Sequence, residues 1–313
     1  MPSNSYDYLT SINRDTLLED AYREIVVLGD GQVLDGSKIE KGHRALMLLL
    51  GSLAQKDIRG EFATVRKRVT LFLQKGQEKY SIGGSDHCVS DYDATTINGA
   101  VAVNDTTIQV VSSAAMTAGD QVGVLTDSGY WEWHPIATIP DGTHYTIAAP
   151  GMARAAAAGS TVVSYTTALS APLEILTAVL RDTAGLDSPV SIDMRLAEYE
   201  AIGDKDAAGD PARAYVEYGR TTTDLWFDAA ADDAAKTVRM VVRMPFSDMD
   251  SATDTFDCSA AGLRALKFAL AIELAPQNGK TVGPALAALA GDAMIAWTDE
   301  NGLTSNLFFE SGT

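Results

Sequence analysis

The chain has 313 residues, 46% of them hydrophobic and 21% charged, which supplies one large core or two smaller ones and excludes a disordered chain. Asp and Glu outnumber Lys and Arg by 42 to 24, a net charge of −18, which argues against a protein that grips nucleic acid by neutralising phosphates. Two distant cysteines, Cys88 and Cys258, exclude a disulfide framework and a four-cysteine zinc site. No apolar run reaches the roughly 20 residues of a membrane-spanning helix. The N-terminus lacks the basic and apolar stretches of a signal peptide, so the expected location is the cytoplasm or an assembly built there, with no membrane partner.

The first 80 residues are nearly balanced in charge, residues 81–168 hold a single basic side chain, Arg154, and residues 169–313 are again strongly acidic. Composition therefore divides the chain near 80 and near 168. In the first region Thr16 and Glu19 have capping-box spacing ahead of a stripe of Leu17, Leu18, Ala21, Ile25 and Leu28, with Gly29 as the stop. Ser37 and Glu40 repeat that spacing before Ile39, Leu46, Leu49, Leu50 and Leu53, which predicts a second helix over Ser37–Lys56 and hence a helical hairpin. The period then drops to two at Val65, Val69, Leu71 and Leu73, a strand. Lys75-Gly76-Gln77 is expected to turn it into a short partner, Lys79–Ile82.

From 94 to 167 the sequence strings five β-patterned runs between turn signals: Thr107–Val111, Gln121–Leu125, Tyr130–Ile139, Thr143–Ala148 and Thr161–Tyr165. This pattern predicts a small β-barrel or sandwich inserted into a host domain. The third region predicts strands at Ile175–Leu180, Pro189–Ile192, Arg213–Tyr218, Asp224–Phe227 and Thr237–Met244, with a short helix at Leu196–Ala201. Two helices follow, Ser259–Leu274 and Pro284–Trp297, before a tail from Asp299. The expected fold is α+β, a helical core with β-strands. The expected domains are a discontinuous 1–93 and 168–298, an insert at 94–167 and an extended tail at 299–313.

No catalytic, cofactor-binding or metal-binding set stands out. His87-Cys88 are neighbours in an extended segment, so their side chains are expected on opposite faces and not as a base and nucleophile. Asp204, Asp206 and Asp210 start like a calcium loop but have Ala208 and Tyr215 at two ligand positions, and Asp248, Asp250, Asp254 and Asp257 lack the defining Gly and Glu. Arg66, Lys67 and Arg68 form a candidate basic contact patch, for which a solvated strand face is the plainer reading. In Trp131-Glu132-Trp133 both indoles fall on one side of a strand, suited to filling a core before stacking a sugar.

The order of these features resembles the head-to-tail adaptor proteins of short-tailed bacteriophages. The likeness is carried by TSINRDTLLEDAYREIVVLGDGQV from Thr10, the helix Ser37–Lys56, VTLFLQKGQEKYSI from Val69, PLEILTAVLRDTAGLDSPVSIDMRLAEYEAI from Pro172, the block Arg213–Asp228 and LRALKFALAIELAPQNGK from Leu263. The insert at 94–167 departs from the smallest members. The resemblance implies a structural virion protein of the neck, not an enzyme and without a cofactor. It would assemble as a ring of twelve copies below the portal protein, extending the channel for double-stranded DNA and offering a platform to the tail nozzle or fibres. An acidic lumen would then let DNA pass without specific binding. On this reading Leu307, Phe308 and Phe309 are expected to anchor the tail on the portal. The alternatives left open are a carbohydrate-binding decoration protein using Trp131 and Trp133, and a cell-wall hydrolase with an unassigned carboxylate pair.

Overall fold

The computed structural model describes residues 12–55 except 30, 64–245 except 220, and 251–306 except 253, 255, 257 and 258. The fold is α+β, and the chain forms two compact units, one from residues 1–65 and 245–313 and the other from 66–244. The division thus falls at the start of the first strand and the end of the last. The strands of the first and third regions group with the 94–167 segment, not with the helices.

The helical unit holds α1 (Arg14–Glu24), α2 (Gly36–Gln55), α4 (Ala260–Gln277) and α5 (Pro284–Asn306); α3 (Leu196–Glu200) belongs to the other unit. The α1 stripe is as the spacing predicts, with Leu17, Leu18, Ala21, Ile25 and Leu28 all buried. Its cap is different. Asn13, not Thr16, ends the helix: Asn13 Oδ1 accepts from the Thr16 backbone N–H and from Thr16 Oγ1, both at 2.9 Å. Asn is as good a cap as Thr and lies one turn earlier, so the helix gains that turn. At the other end α1 stops before Gly29, because Val26 adopts a positive φ of 54°. Asp35 caps α2 by accepting from the Lys38 N–H at 2.9 Å. The hydroxyl of Ser37 and that N–H hold the Asp35 carboxyl well below the usual range.

Close approach of α1 and α2 depends on Gly42, where a Cβ would lie 2.9 Å from Leu18 Cδ2. The Tyr22 hydroxyl donates to the Lys38 carbonyl at 3.0 Å across the same contact. Leu263, Leu266, Leu270 and Leu274 of α4 pack into this core together with Ala293 and Trp297 of α5. The α5 helix corrects the expected extended tail in part. It continues through Asn306 because each added residue gains a hydrogen bond and no proline interrupts it, while Gly302 alone costs only about 1 kcal/mol. Leu307, Phe308, Phe309 and Cys258 lie outside the described residues.

The β-unit is layered. One sheet has the order β11 (Asp187–Val190), β10 (Glu174–Arg181), β16 (Thr237–Pro245), β1 (Thr64–Phe72), β3 (Cys88–Val89). A second has the order β13 (Ala214–Tyr218), β14 (Thr223–Phe227), β2 (Lys79–Ile82), and β12 (Ala208–Gly209) pairs with β15 (Ala230–Ala231). Val69, Leu71, Leu180, Val238 and Met240 from the first sheet and Tyr80, Ile82, Leu225 and Phe227 from the second share one core. The expected hairpin of β1 with Lys79–Ile82 is overturned: β2 pairs antiparallel with β14, Trp226 opposite Lys79 and Leu225 opposite Tyr80. The turn after β1 carries the chain from one layer to the other, and its Gly76 N–H donates to the Ala231 carbonyl at 2.7 Å. Both faces of β1 are in use, Leu71 in the shared core and Phe72 in a separate aromatic cluster.

Residues 93–165 make a six-stranded sheet in the order β4 (Asp93–Thr96), β9 (Thr161–Tyr165), β6 (Gln121–Leu125), β7 (Trp131–Asp141), β8 (His144–Ile147), β5 (Thr107–Gln109). It curls. Its two edge strands meet at their ends, where the Asn98 N–H donates to the Gln109 carbonyl and the Val111 N–H to the Thr96 carbonyl, each at 2.9 Å. Pairing edge to edge removes the open backbone that an edge strand exposes. The curled sheet encloses Ile108, Val122, Val124, Tyr145, Met152 and Val162, a core drawn entirely from its own residues.

Candidate functional site

Two features of the β-unit bring chemistry-bearing side chains together. The first is an aromatic cluster where the curled sheet joins the layered one. Alternation on β7 puts Trp131 and Trp133 on the same side, 5.6 Å apart and nearly stacked, and Phe72 meets both edge-on at 5.3 and 5.4 Å. The imidazole of His87 lies flat on Trp133 at 3.7 Å with an interplanar angle of 10°, and its Nδ1 is 2.5 Å from the Tyr165 hydroxyl. Trp131 Nε1 donates to the Ala234 carbonyl at 2.7 Å. The tryptophan pair therefore packs against protein, Trp131 buried and Trp133 half-buried, in keeping with its spacing.

Gly123 of β6 sits directly opposite Trp133, and a Cβ there would be 2.6 Å from the indole. The glycine makes room for the ring. His87 and Cys88 do not form a nucleophile and base: the imidazole is committed to Trp133 and Tyr165, and the Cys88 thiol is buried, which pushes its pKa up. A thiol without thiolate character is a poor nucleophile.

Burial also pushes His87 down to about 4, with Asp86 opposing weakly. The imidazole is thus neutral in the folded protein and binds a proton more readily in the unfolded chain, near 6.5. Stability is expected to be full above about pH 6.5 and to fall progressively toward pH 4, losing about 2 kcal/mol after allowance for partial solvent access. Urea titrations at pH 7.5 and 4.5 would measure it. His87→Phe, which keeps a flat ring on Trp133, is expected to flatten that part of the profile; an unchanged slope would show that His87 is not its source.

Glu132, between the two indoles, points to the other side of β7 and is a residue the sequence left unassigned. It is buried, its Oε2 accepts from the Arg154 N–H at 3.0 Å, its Oε1 from the Ala153 N–H, and His134 Nε2 is 2.9 Å from Oε1. It anchors the 153–154 loop. His144 meets Asp141 at 3.0 Å, and that contact with Thr143 lowers the Asp141 carboxyl to about 2. His43 lies half-buried on α2.

The second feature is a cleft of about 400 Å³ on the outer face of the five-stranded sheet, lined by Arg68, Arg181 and Arg239 together with Asp187, Tyr92 and Val241. Of the basic patch named from sequence, Arg68 enters this lining; Arg66 and Lys67 are exposed beside it in the chain. Arg181 holds Asp187 through Nε and a terminal nitrogen, both at 2.6 Å. The Arg181 guanidinium, with Arg239 adding at longer range, lowers the Asp187 pKa. Sequence reasoning found Arg68 from a run of three basic residues, but Arg181 and Arg239 are isolated in sequence and joined only by the pairing of β10 with β16.

Asp248, Asp250 and Asp257 of the second acidic loop lie outside the described residues. Asp210 is paired with Lys236, and among the described residues no cluster of three His, Cys, Asp or Glu side chains has metal-holding geometry. Also among the described residues, no helix is long and apolar enough to cross a membrane.

No protein-family model matches the chain, and no curated protein does. Among solved structures it shows a slight likeness to VP17, a capsid protein of bacteriophage P23-77. The identity is 10% over 56% of this chain and 79% of that one, with a TM-score of 0.11, too low to carry an argument about fold or role.

Proposed function

We propose that the chain is a structural virion protein, a head-to-tail adaptor of a short-tailed bacteriophage that forms a ring below the portal and extends the DNA channel. The observation that carries the reading is the helical unit assembled from both ends of the chain, with α1 and α2 closed by α4 and α5 and the β-strands spliced between them. That order of elements is the one the sequence resemblance implies. The charge supports it as well: copies carrying −18 each can line a passage with carboxylates that repel the phosphate backbone, so that DNA slides without a detachment barrier. In this reading the curled sheet of residues 93–165 is an outward-facing accessory module, and the nozzle or fibres dock on the ring. The segment Leu307, Phe308 and Phe309 anchors it to the portal.

Native mass measurement of the full chain, alone and mixed with a portal ring, tests the proposal. The expected result is a closed complex near twelve copies on the portal, and removal of residues 307–313 is expected to weaken that attachment. A chain that stays monomeric in the presence of the portal would overturn the reading. Peptidoglycan turnover abolished by a single carboxylate substitution would replace it with the hydrolase.

A further inference from the structure

The basic cleft is out of keeping with the protein that bears it. Alternation along β1, β10 and β16 turns Leu71, Leu180 and Val238 into the core and leaves Arg68, Arg181 and Arg239 on the opposite face. Three arginines and a single carboxylate, Asp187, line the cleft; Arg181 engages Asp187 with two hydrogen bonds and Arg239 acts on it at longer range. Among the described residues Arg68 and Arg239 have no ion-pair partner, and Arg239 Nε is buried without a hydrogen-bond acceptor. A buried donor left unpaired is costly, more so when it is charged, so an acceptor brought to this cleft would be held favourably.

We infer that this cleft receives carboxylate side chains from a second copy of the same chain, as a contact between neighbouring subunits. The inference rests on the ring reading and adds the place where copies join. Charge complementarity selects the occupant: 42 acidic residues against 24 basic ones make any other copy a surface rich in carboxylates. Arg forks match carboxylates two bonds at a time. Between the arginines the lining mixes the apolar surfaces of Val179, Val241 and the ring of Tyr92 with the hydroxyl-bearing Thr70, Thr177 and Ser90. It suits the methylene stem of a Glu or Asp side chain better than a phosphate held on a broad, rigid duplex. A duplex, whose phosphates are far denser in charge than the surface of another copy, would also meet stronger repulsion from a chain of net charge −18. Subunits that otherwise repel one another thereby gain an attractive contact with a fixed register.

Arg68→Glu reverses the charge at the exposed edge of the cleft with little expected effect on folding, and Arg68→Lys keeps the charge. Both full-length variants and the parent chain are mixed with portal rings and followed by native mass and sedimentation at low and high salt, with melting curves to confirm folding. The expected result is assembly at least about tenfold weaker for Arg68→Glu, near-parental for Arg68→Lys, and salt-sensitive for the parent. Parental assembly by a folded Arg68→Glu overturns the inference and leaves the ring reading standing. Failure of the parent chain to assemble overturns both. Loss of duplex DNA binding in Arg68→Glu, with assembly unchanged, reassigns the cleft to phosphate.

Discussion

Trp131→Ala is expected to destabilise the β-unit by about 3–5 kcal/mol, the cost of emptying a large buried aromatic site. The indole is 5% exposed and packs edge-on against Phe72 of β1 at 5.3 Å. Its Nε1–H satisfies the Ala234 carbonyl, and its backbone exchanges two hydrogen bonds with the Gln74 side chain, at 3.0 and 3.1 Å. Residues 72, 74 and 234 belong to the layered strands and the turns beside them, so one residue of the curled sheet is tied to three points outside it, two through its side chain and one through its backbone. Truncation opens a cavity at that seam and leaves the Ala234 carbonyl buried without a donor. Chemical denaturation followed by circular dichroism would read the loss. Trp131→Phe keeps most of the packing and should cost about 1–3 kcal/mol, the share of the lost donor. Equal effects of the two substitutions would mean that the hydrogen bond, not the packing, holds the seam.

Gly83→Ala is expected to be nearly as damaging, for a reason of backbone rather than core. Gly83 has φ of +82°, and a Cβ there would lie 2.7 Å from both the Ala171 nitrogen and the Thr221 oxygen. Both are main-chain atoms that cannot swing aside. The left-handed conformation costs an alanine about 1 kcal/mol, and displacing two strands' connections adds roughly 2–3 kcal/mol. Gly185 is the control: its φ is +83° but nothing lies within 4 Å of its added Cβ. Gly185→Ala should therefore lose only the conformational share, about 1 kcal/mol. A melting-temperature comparison of the two single variants separates steric from conformational cost, and equal shifts would discard the steric account.

Much of the element structure is readable in the chain because local patterns and burial agree. The runs Gln121–Leu125 and Thr161–Tyr165 become β6 and β9 without a shift, and the leucine stripe of α4 is buried at every predicted position. What stays hidden is pairing. Lys79–Ile82 follows β1 after a glycine turn, the ordinary signature of a hairpin, yet its partner is β14, more than a hundred residues away. Nothing in the spacing announces this, because the choice is made by Tyr80 and Ile82 fitting the second layer of a sandwich. The basic cleft was hidden for the same reason: Arg239 lies among alternating apolar residues on β16, and only its neighbours across the sheet, Val179 beside it and Arg181 two residues on, give it company. His87 presented a different obstacle. Its neighbour Cys88 drew attention as a chemical partner, whereas its actual partners are Trp133 and Tyr165, brought to it by two strands of the curled sheet.

The splicing of a β-unit between two pairs of helices bears on how the protein is made. On the ribosome α1 and α2 emerge before the β-unit, but the surface that covers their leucines, α4, follows only after all of residues 66–244. At roughly 5–20 residues per second that wait is on the order of ten to forty seconds. Through it the nascent helices keep a greasy flank open to solvent, so the newborn chain is a natural client for a holding chaperone, and the helical unit closes only once the β-unit between its two halves has been made.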